Sequence, residues 1–447
     1  MTHPQTAIVI GAGVAGLAAA RQLRAHGAHV TVLESAPTVG GRARTLVEQG
    51  CQIELGAEFL ASFYTRTLAL IDELGVQRDL CRIPSSSAIL RDGRFHSLWP
   101  SARLALTALV GTRHKLALSY LLASLLRHGP LLDLAAFKNA APIDDASVSD
   151  YARAHLSEDL LEYVLQPPLA GIFYWTPERT SRALLMLVLR AGLSRPTGLK
   201  LFTLRHGLGQ LPRAMAADLD VRLGTRAGAV ERWPAGGYQV RLAGGGEPLA
   251  ADMVVCATTA SAVPGLMPWL GAERLALFRG VRYSATALLA TGTRGRLPHD
   301  FYGLLFPRRE SAFLASATIQ AVKSASAVPH GRDTLALHMS GPAMDALRQC
   351  DDESLIGLML AELRRLAPRY DPTPQAVFQR LYRCPEALPE FAVGHFRRLQ
   401  GFAASAMEPP GVAFAGDYLG GPFIEGASLS GEAAAARALA ALGHGKA

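Results

Sequence analysis

The sequence predicts an α/β protein in which a doubly wound parallel sheet binds a dinucleotide and a second part, a mixed sheet with helices, holds a substrate. Three observations predict it. The chain opens with a strand, a glycine turn and a helix; the next strand ends in an acid; and near the C-terminus another strand ends in an acid just ahead of a long alanine-rich helix.

Taken in order, Ala7-Ile8-Val9-Ile10 reads as a short buried strand, Gly11-Ala12-Gly13-Val14-Ala15-Gly16 as a tight turn, and Leu17 to Ala25 as a helix. In such a unit Gly11 permits the sharp turn, Gly13 lets backbone N–H groups approach a pyrophosphate, and Gly16 lets helix and strand pack closely. The strand His29-Val30-Thr31-Val32-Leu33 then delivers Glu34 about 20 residues after the glycines, where an acid accepts hydrogen bonds from a ribose and repels a 2′-phosphate. Gly40-Gly41-Arg42-Ala43-Arg44-Thr45 adds a flexible loop with two guanidiniums, suited to a diphosphate or an isoalloxazine edge. At the far end Val412-Ala413-Phe414-Ala415-Gly416-Asp417 is a strand ending in an acid, and Ile424-Glu425-Gly426-Ala427 opens the long helix. Phosphate-type loops at both ends of one chain suit FAD better than NAD.

GAGVAGL, Glu34, GGRART, the Gly56-Ala57-Glu58-Phe59 turn and AGDYLGGPFIEGASLSGEAA resemble the flavin-containing amine oxidase superfamily, which also holds protoporphyrinogen oxidases and phytoene-type desaturases. The middle of the chain, around Gln166–Phe173, Gly303–Glu310 and Ala387–His395, is similar to segments of protoporphyrinogen oxidases. The resemblance implies a Rossmann-like FAD-binding domain of the glutathione-reductase type, interleaved with a discontinuous substrate domain. It implies cofactor contacts at Gly11, Gly13, Val14, Ala15 and Gly16, at Glu34 and Ser35, and at Gly40, Gly41 and Arg42. Further contacts are implied at Gly56, Ala57, Glu58 and Phe59, at Ala227 through its backbone, and at Gly416, Asp417, Ile424, Glu425 and Ala427. The positive N-terminus of the last helix would stabilise the charge of a reduced flavin, although Glu425 also reads as a helix cap.

A length of 447 residues, 49% of them hydrophobic and 18% charged, allows about two domains with full cores and no long disordered tail. The FAD part is assigned to 1–75, 205–262 and 396–447, and the substrate part to 76–204 and 263–395. Strands are expected at Val221–Leu223, Val254–Ala257, Ala285–Thr291, Phe313–Thr318 and Thr334–Met339, with a helix over Asp352–Leu366. Cys51, Cys81, Cys256, Cys350 and Cys384 are scattered without a CxxC pair, so free thiols are expected and a metal site is not. A net charge of +8 comes with five lysines and no unbroken basic block, which argues against nucleic acid. No basic stretch precedes the first apolar run, so a signal peptide is not expected and the reading is cytoplasmic. Leu98 to Phe137, apolar and punctuated by Arg103, Arg113, His114, Lys115 and Arg127, has two readings: docking on the inner face of a membrane, or helices walling the substrate cavity.

What faces the flavin decides the substrate. Amine oxidases commonly place a lysine near the flavin N5 and two aromatic rings as a cage, but no lysine stands between Lys200 and Lys323, so the strand Ala285–Thr291 supplies none. Alignment on IEGA puts Phe423 at one cage position and alignment on the preceding turn puts His395 near the other. His395 reads as a base, a substrate-orienting group or a structural histidine. Gly394 stands where some members carry a flavin-linking cysteine, so FAD is expected to be noncovalent. The expected activity is an FAD-dependent oxidase or desaturase that removes hydride from a hydrophobic, conjugated small molecule to form C=C or C=N, with oxygen or a quinone as acceptor. Arg308 and Arg309 are candidates for substrate carboxylates. The alternatives are amine oxidation in secondary metabolism and a redox-neutral flavin-dependent isomerisation.

Overall fold

Strands that are apolar without interruption belong in sheets covered on both faces, and Thr6–Ile10 lies at the centre of one. The structure, a computed structural model, describes residues 5–84, 87–97, 109–193, 198–234, 236–404 and 410–443. Its five-stranded sheet runs Asp220–Arg222, His29–Leu33, Thr6–Ile10, Met253–Cys256, Val412–Phe414, and every pairing is parallel. Alternate side chains enter different cores. Ala7, Val9, Met253, Val255 and Ala413 join one cluster, while Ile8, Ile10, Val254, Cys256, Val412 and Phe414 join the other. The first face, set with small residues, receives the helices Val14–Ala25 and Ile424–Gly443.

A doubly wound sheet would carry helices on the second face as well. Here that face is covered by an antiparallel meander, Ala227–Arg232, Tyr238–Leu242 and Leu249–Ala251, together with the helices Val263–Leu266 and Ala272–Gly280. The reason is local: the glycine pairs Gly236-Gly237 and Gly244-Gly245 flank short β-type runs, and four of these five residues with Gly246 have positive φ, which favours tight hairpin turns over helices.

A seven-stranded sheet runs Ala376–Cys384, Thr286–Thr293, Asp333–Met339, Leu314–Ile319, Gly303–Leu305, Ser87–Arg91, Arg94–Ser97, antiparallel except where Gly303–Leu305 meets Ser87–Arg91. The helix Asp352–Leu366, capped by Asp351 accepting from the Ser354 N–H, buries Leu355, Met359, Leu360 and Leu363 against one face. The stretch expected to be helix-rich, 76–204, also supplies the strands Leu80–Arg82, Ser87–Arg91, Arg94–Ser97 and Leu201–Leu204. Of the basic apolar stretch, residues 98–108 lie outside those described; the rest includes the helices Thr112–Lys115 and Leu118–Arg127.

First and last helices touch through glycine. A Cβ on Gly431 would lie 2.1 Å from the Ala15 carbonyl oxygen, so Gly431→Ala must push the two helices apart. Overpacking of this kind costs about 1–3 kcal/mol, and denaturant titration should register a loss of that size. Gly357, exposed in Asp352–Leu366 with no atom near its Cβ position, is the control: Gly357→Ala should stabilise by about 0.5–1 kcal/mol.

Candidate active site

The turn after the central strand is held from three sides. Gly11 (φ 105°) donates its N–H to Leu33 O at 2.8 Å, and a Cβ there would meet Ala257 O at 2.8 Å. Glu34 accepts from the Ala12 N–H at 2.8 Å through one oxygen and from the Ala36 N–H at 2.8 Å and the Ser35 hydroxyl at 3.3 Å through the other. The second loop lies against the first, with the Gly40 N–H donating to Ala12 O at 2.8 Å. Its Arg42 reaches across the fold to Asp417, donating at 2.9 Å, and to Ala387 O at 3.1 Å. Burial opposes the Arg42 charge, and Asp417 outweighs it and raises the pKa.

These pieces border one cavity of about 2270 Å³. Gly11, Gly13, Val14 and Ala15 line it at the N-terminus of one helix, and Phe423, Ile424 and Ala427 at the N-terminus of another. Glu34 and Ser35, the loop Gly40, Gly41 and Arg42, and the turn Gly56, Ala57, Glu58 and Phe59 also face it, as do Ala227, Gly416 and Asp417. Beyond them the cavity continues between the open face of the seven-stranded sheet and the apolar helices, past Leu118, Leu121, Leu122, Leu125, Val188 and Leu189. Two positive helix ends and the glycine loops converge on its first part, and the open space at the Gly13 Cβ position leaves that backbone approachable. The donor set fits a dinucleotide cofactor.

Three residues expected at the site do not line the cavity. Gly16 packs instead: a Cβ there would lie 1.9 Å from Gly11 O. Glu425 is buried and turned away, accepting from the backbone N–H groups of Arg66 and Thr67, both at 2.8 Å, and from the Thr67 hydroxyl at 2.7 Å. It caps the helix Thr65–Glu73 rather than meeting a flavin. His395 is fully buried at the start of the helix His395–Ala404, with Nε2 at 3.0 Å from Tyr418 O and its ring edge-on to Phe391. This is the structural-histidine reading, not a base over the cavity. Ala387 and Leu388 line the wall instead, and Phe423 packs beside Phe63, Tyr64 and Phe173. Nor does Arg308 meet a substrate: it is bonded to Glu162 and Glu178, and Arg309 lies against Glu158 and Glu162.

Of a cluster on the sheet side of the cavity, the sequence reading reached Glu58 and, as aromatic pocket candidates weighed against core packing, Tyr174 and Tyr302; Glu54, Gln320, Lys323 and His338 escaped it. The Glu58 Oε2 atom accepts from Lys323 Nζ at 3.1 Å, the Tyr302 hydroxyl at 3.3 Å and Gln320 Nε2 at 3.4 Å. Lys323 also donates to Glu54 at 3.3 Å. Across from Glu58, His338 holds Nδ1 at 3.0 Å from the Tyr174 hydroxyl and Nε2 at 3.8 Å from Glu58 Oε1. Burial alone would push Glu58 up, but Lys323 and His338 hold it at about 2; Glu54, also buried, is pushed up. The available signal was alternation: in Asp333–Met339 the residues Leu335, Leu337 and Met339 form one face, and His338 falls on the other.

The burial of His395 has a pH consequence. Desolvation lowers its pKa from 6.5 to about 4, so the folded state favours the neutral ring. The resulting stability is full above the unfolded value near 6.5 and is lost as pH falls through about 4, by an amount on the order of 3 kcal/mol. His395→Gln cannot be charged and should lack that acid limb in denaturant titrations across this range, while flavin reduction proceeds at the parent rate.

Comparison with known proteins agrees with this geometry. Coproporphyrinogen III oxidase of Bacillus subtilis (strain 168) is 22% identical over 459 residues, covering 94% of each chain. Protoporphyrinogen oxidase 2 of Arabidopsis thaliana is 29% identical over 182 residues, 39% of this chain and 33% of that protein. The solved structure of cyclohexylamine oxidase from Brevibacterium oxydans IH-35A superposes with a TM-score of 0.74 at 18% identity, covering 99% of this chain and 100% of the other, a likeness of fold. The family of flavin containing amine oxidoreductases matches residues 14–439. With a cavity built from both chain ends to take a dinucleotide cofactor, this chain belongs to that family and is an FAD-dependent oxidoreductase.

Proposed function

We propose that the enzyme dehydrogenates a bulky, hydrophobic, conjugated substrate of the porphyrinogen kind, forming C=C or C=N bonds, with oxygen or a quinone as the final acceptor. The observation that carries the reading is the long cavity, about 2270 Å³, whose cofactor end opens into an apolar chamber walled by Leu118, Leu121, Leu125, Val188 and Leu189. The similarity to coproporphyrinogen III oxidase over 94% of the chain supports it. Arg82, in one strand of a small sheet, and Lys200, just before another of its strands, line the chamber and would supply cations for substrate carboxylates.

In this reading the FAD-binding part comprises 1–75, 205–262 and 396–447, a glutathione-reductase-type domain, and the substrate part comprises 76–204 and 263–395. Glu34 would take the adenosine ribose, Gly11, Gly13, Gly40 and Gly41 the diphosphate, Asp417 with Arg42 the ribityl region, and Phe423 and Ile424 the ring. FAD, held noncovalently, supplies the hydride acceptor. The apolar walls exclude water from the reacting carbons. Ionised Glu58 on the cavity wall favours the second reading, oxidation of an amine, because a buried carboxylate attracts an ammonium group. Cofactor release by heat should yield FAD, and Glu34→Ala should weaken its binding by roughly 1–3 kcal/mol if the ribose contacts are buried, measured by fluorescence titration of the apoprotein. Anaerobic mixing decides the substrate: coproporphyrinogen III should bleach the flavin faster than putrescine or cyclohexylamine, and the reverse order would hand the site to the amine reading.

The proposal includes contact with a membrane surface. Leu116, Tyr120, Leu122 and Leu126 are exposed at 75%, 51%, 53% and 70%, and Leu122 also lines the cavity, so a path for hydrophobic substrate would open where apolar side chains meet the outside. Arg113, Lys115 and Arg127 flank them. No helix among the described residues is long and apolar enough to cross a membrane. Vesicles containing anionic lipid should carry the protein upward in flotation at low salt and less so at high salt, and Leu116→Asp with Leu126→Asp should abolish flotation. Protein that sediments under both salt conditions leaves these helices as cavity walls.

A further inference from the structure

Removing a hydride from carbon or nitrogen solves half of a dehydrogenation. To form the double bond, the neighbouring atom must also give up a proton, and the cavity needs a group to receive it. His395 is buried elsewhere. The sheet side of the cavity holds the alternative, on three elements that converge without sharing sequence: Glu58 after the strand Cys51–Glu54, Tyr174 at the end of the helix Gln166–Phe173, and His338 within the strand Asp333–Met339.

From this geometry we propose that His338 is the proton acceptor of the oxidation, with Glu58 and Tyr174 as its positioning residues. The inference rests on the dehydrogenation reading above. In the step, a substrate C–H or N–H bond breaks and its proton goes to an imidazole nitrogen of His338; the adjacent C–H breaks with its electron pair, a hydride for which bound FAD would supply the acceptor. The electron pair left by the proton becomes the second bond of C=C or C=N. Proton and hydride together account for both hydrogens lost by the substrate and both electrons gained by the cofactor.

Three observations carry the assignment. First, the Glu58 carboxylate is satisfied on one side only. Its Oε2 takes three donors, whereas Oε1 is buried without a hydrogen-bond partner and faces His338 Nε2 at 3.8 Å. A buried carboxylate oxygen without a donor is costly, and an Nε2–H of His338 turned toward it supplies one while the Tyr174 hydroxyl holds Nδ1. Second, Glu58 stays ionised at this place: burial opposes its charge, but Lys323 at 3.1 Å and His338 across from it hold it at about 2. The groups facing His338 are Glu58 and the Tyr174 hydroxyl, with Tyr302, Lys323 and Glu54 behind Glu58; Ser316 and Leu288 are its neighbours across the sheet. Third, the protein tolerates strain to aim Tyr174. That residue has φ 59°, in the left-handed region that tyrosine rarely adopts, and Gly341 leaves room for its carbonyl, since a Cβ there would lie 2.5 Å from Tyr174 O.

The test compares wild-type holoenzyme with His338→Gln and Glu58→Gln, each first checked for parent FAD content and thermal midpoint. In rapid anaerobic mixing with coproporphyrinogen III, His338→Gln should bleach the flavin about 10²–10⁴-fold more slowly and should lack the pH dependence of the wild-type rate between about pH 5 and 9. A His338→Gln enzyme with the parent rate and pH profile overturns the proposal. If coproporphyrinogen III bleaches no form, the substrate reading has failed, and a second arm decides the pair without substrate. In ¹⁵N-histidine-labelled holoenzyme at fixed pH, the imidazole signal missing from His338→Gln should move in Glu58→Gln, because its Nε2 faces the Glu58 carboxylate. A His338 signal indifferent to the loss of the Glu58 charge overturns the proposal independently of the substrate. Should either variant fail the folding check, Tyr174→Phe removes only the hydroxyl on Nδ1; unchanged histidine signals and an unchanged bleaching rate in that variant would then overturn it.

Discussion

The ion pair of Arg42 with Asp417 closes this structure. The two residues are 375 positions apart, and each sits where a loop must be pinned for the cavity to exist: Arg42 after the second glycine pair, Asp417 after the last strand of the parallel sheet. Asp417 is 6% exposed and paired with Arg42 at 2.8 Å, and Arg42 in turn fixes Ala387 through its carbonyl. Three segments remote in sequence thereby meet at one guanidinium. Arginine suits this place because its planar fork serves a carboxylate and a carbonyl at once, which a lysine ammonium does less specifically.

Given that closure, the division of labour between the two large sheets follows from what covers them. The parallel sheet is buried on both faces, and its strands deliver their C-terminal ends, the Gly11 turn and Asp417, to the cavity, as open α/β sheets do at the point where strand order reverses. The seven-stranded sheet is covered on one face by Asp352–Leu366, and part of its other face stands over the chamber. That open face can carry polar groups because they are satisfied by one another: Glu58 by Lys323, Tyr302 and Gln320, and Gln320 also by the Thr318 hydroxyl. A half-satisfied network in an apolar cavity is costly, which makes the open Glu58 Oε1 the informative atom.

Legibility in the sequence tracked how local the determinants were. The strands Thr6–Ile10 and His29–Leu33, the helix Asp352–Leu366 and the loops that reach the cavity were readable because glycine spacing, apolar runs and a capping aspartate act over a few residues. The meander on the parallel sheet was missed beyond the strand at Ala227 because its glycine-flanked strands are short. Roles failed where they depend on direction rather than position. Glu425 stands beside Ile424, which lines the cavity, yet its side chain turns to the backbone of Arg66 and Thr67. His395 follows the loop that does line the wall, but the first turn of its helix rotates the ring onto Phe391 and the Tyr418 carbonyl. Lys323 was set aside for lying outside one expected strand; it reaches the cluster from the end of the short helix Gln320–Lys323 that follows the strand Leu314–Ile319.

The two histidines show how burial alone fails to mark a catalytic group. His395 and His338 are almost equally enclosed, at 0% and 3% exposure. What separates them is the group each ring nitrogen faces. His395 meets a carbonyl oxygen and aromatic edges, Arg398 and Asp144 act on it in opposite directions, and desolvation drives its proton off, to about 4, so it serves as a neutral donor inside the fold. Around His338 stand a carboxylate with one unoccupied oxygen and a hydroxyl held in place by a strained backbone. The first environment penalises a charge on the ring; the second sets a carboxylate oxygen opposite it, on the wall of the cavity. A cavity that handles protons needs the second kind, and the sheet strand Asp333–Met339, anchored on its other face by Leu335, Leu337 and Met339, holds it still enough to use.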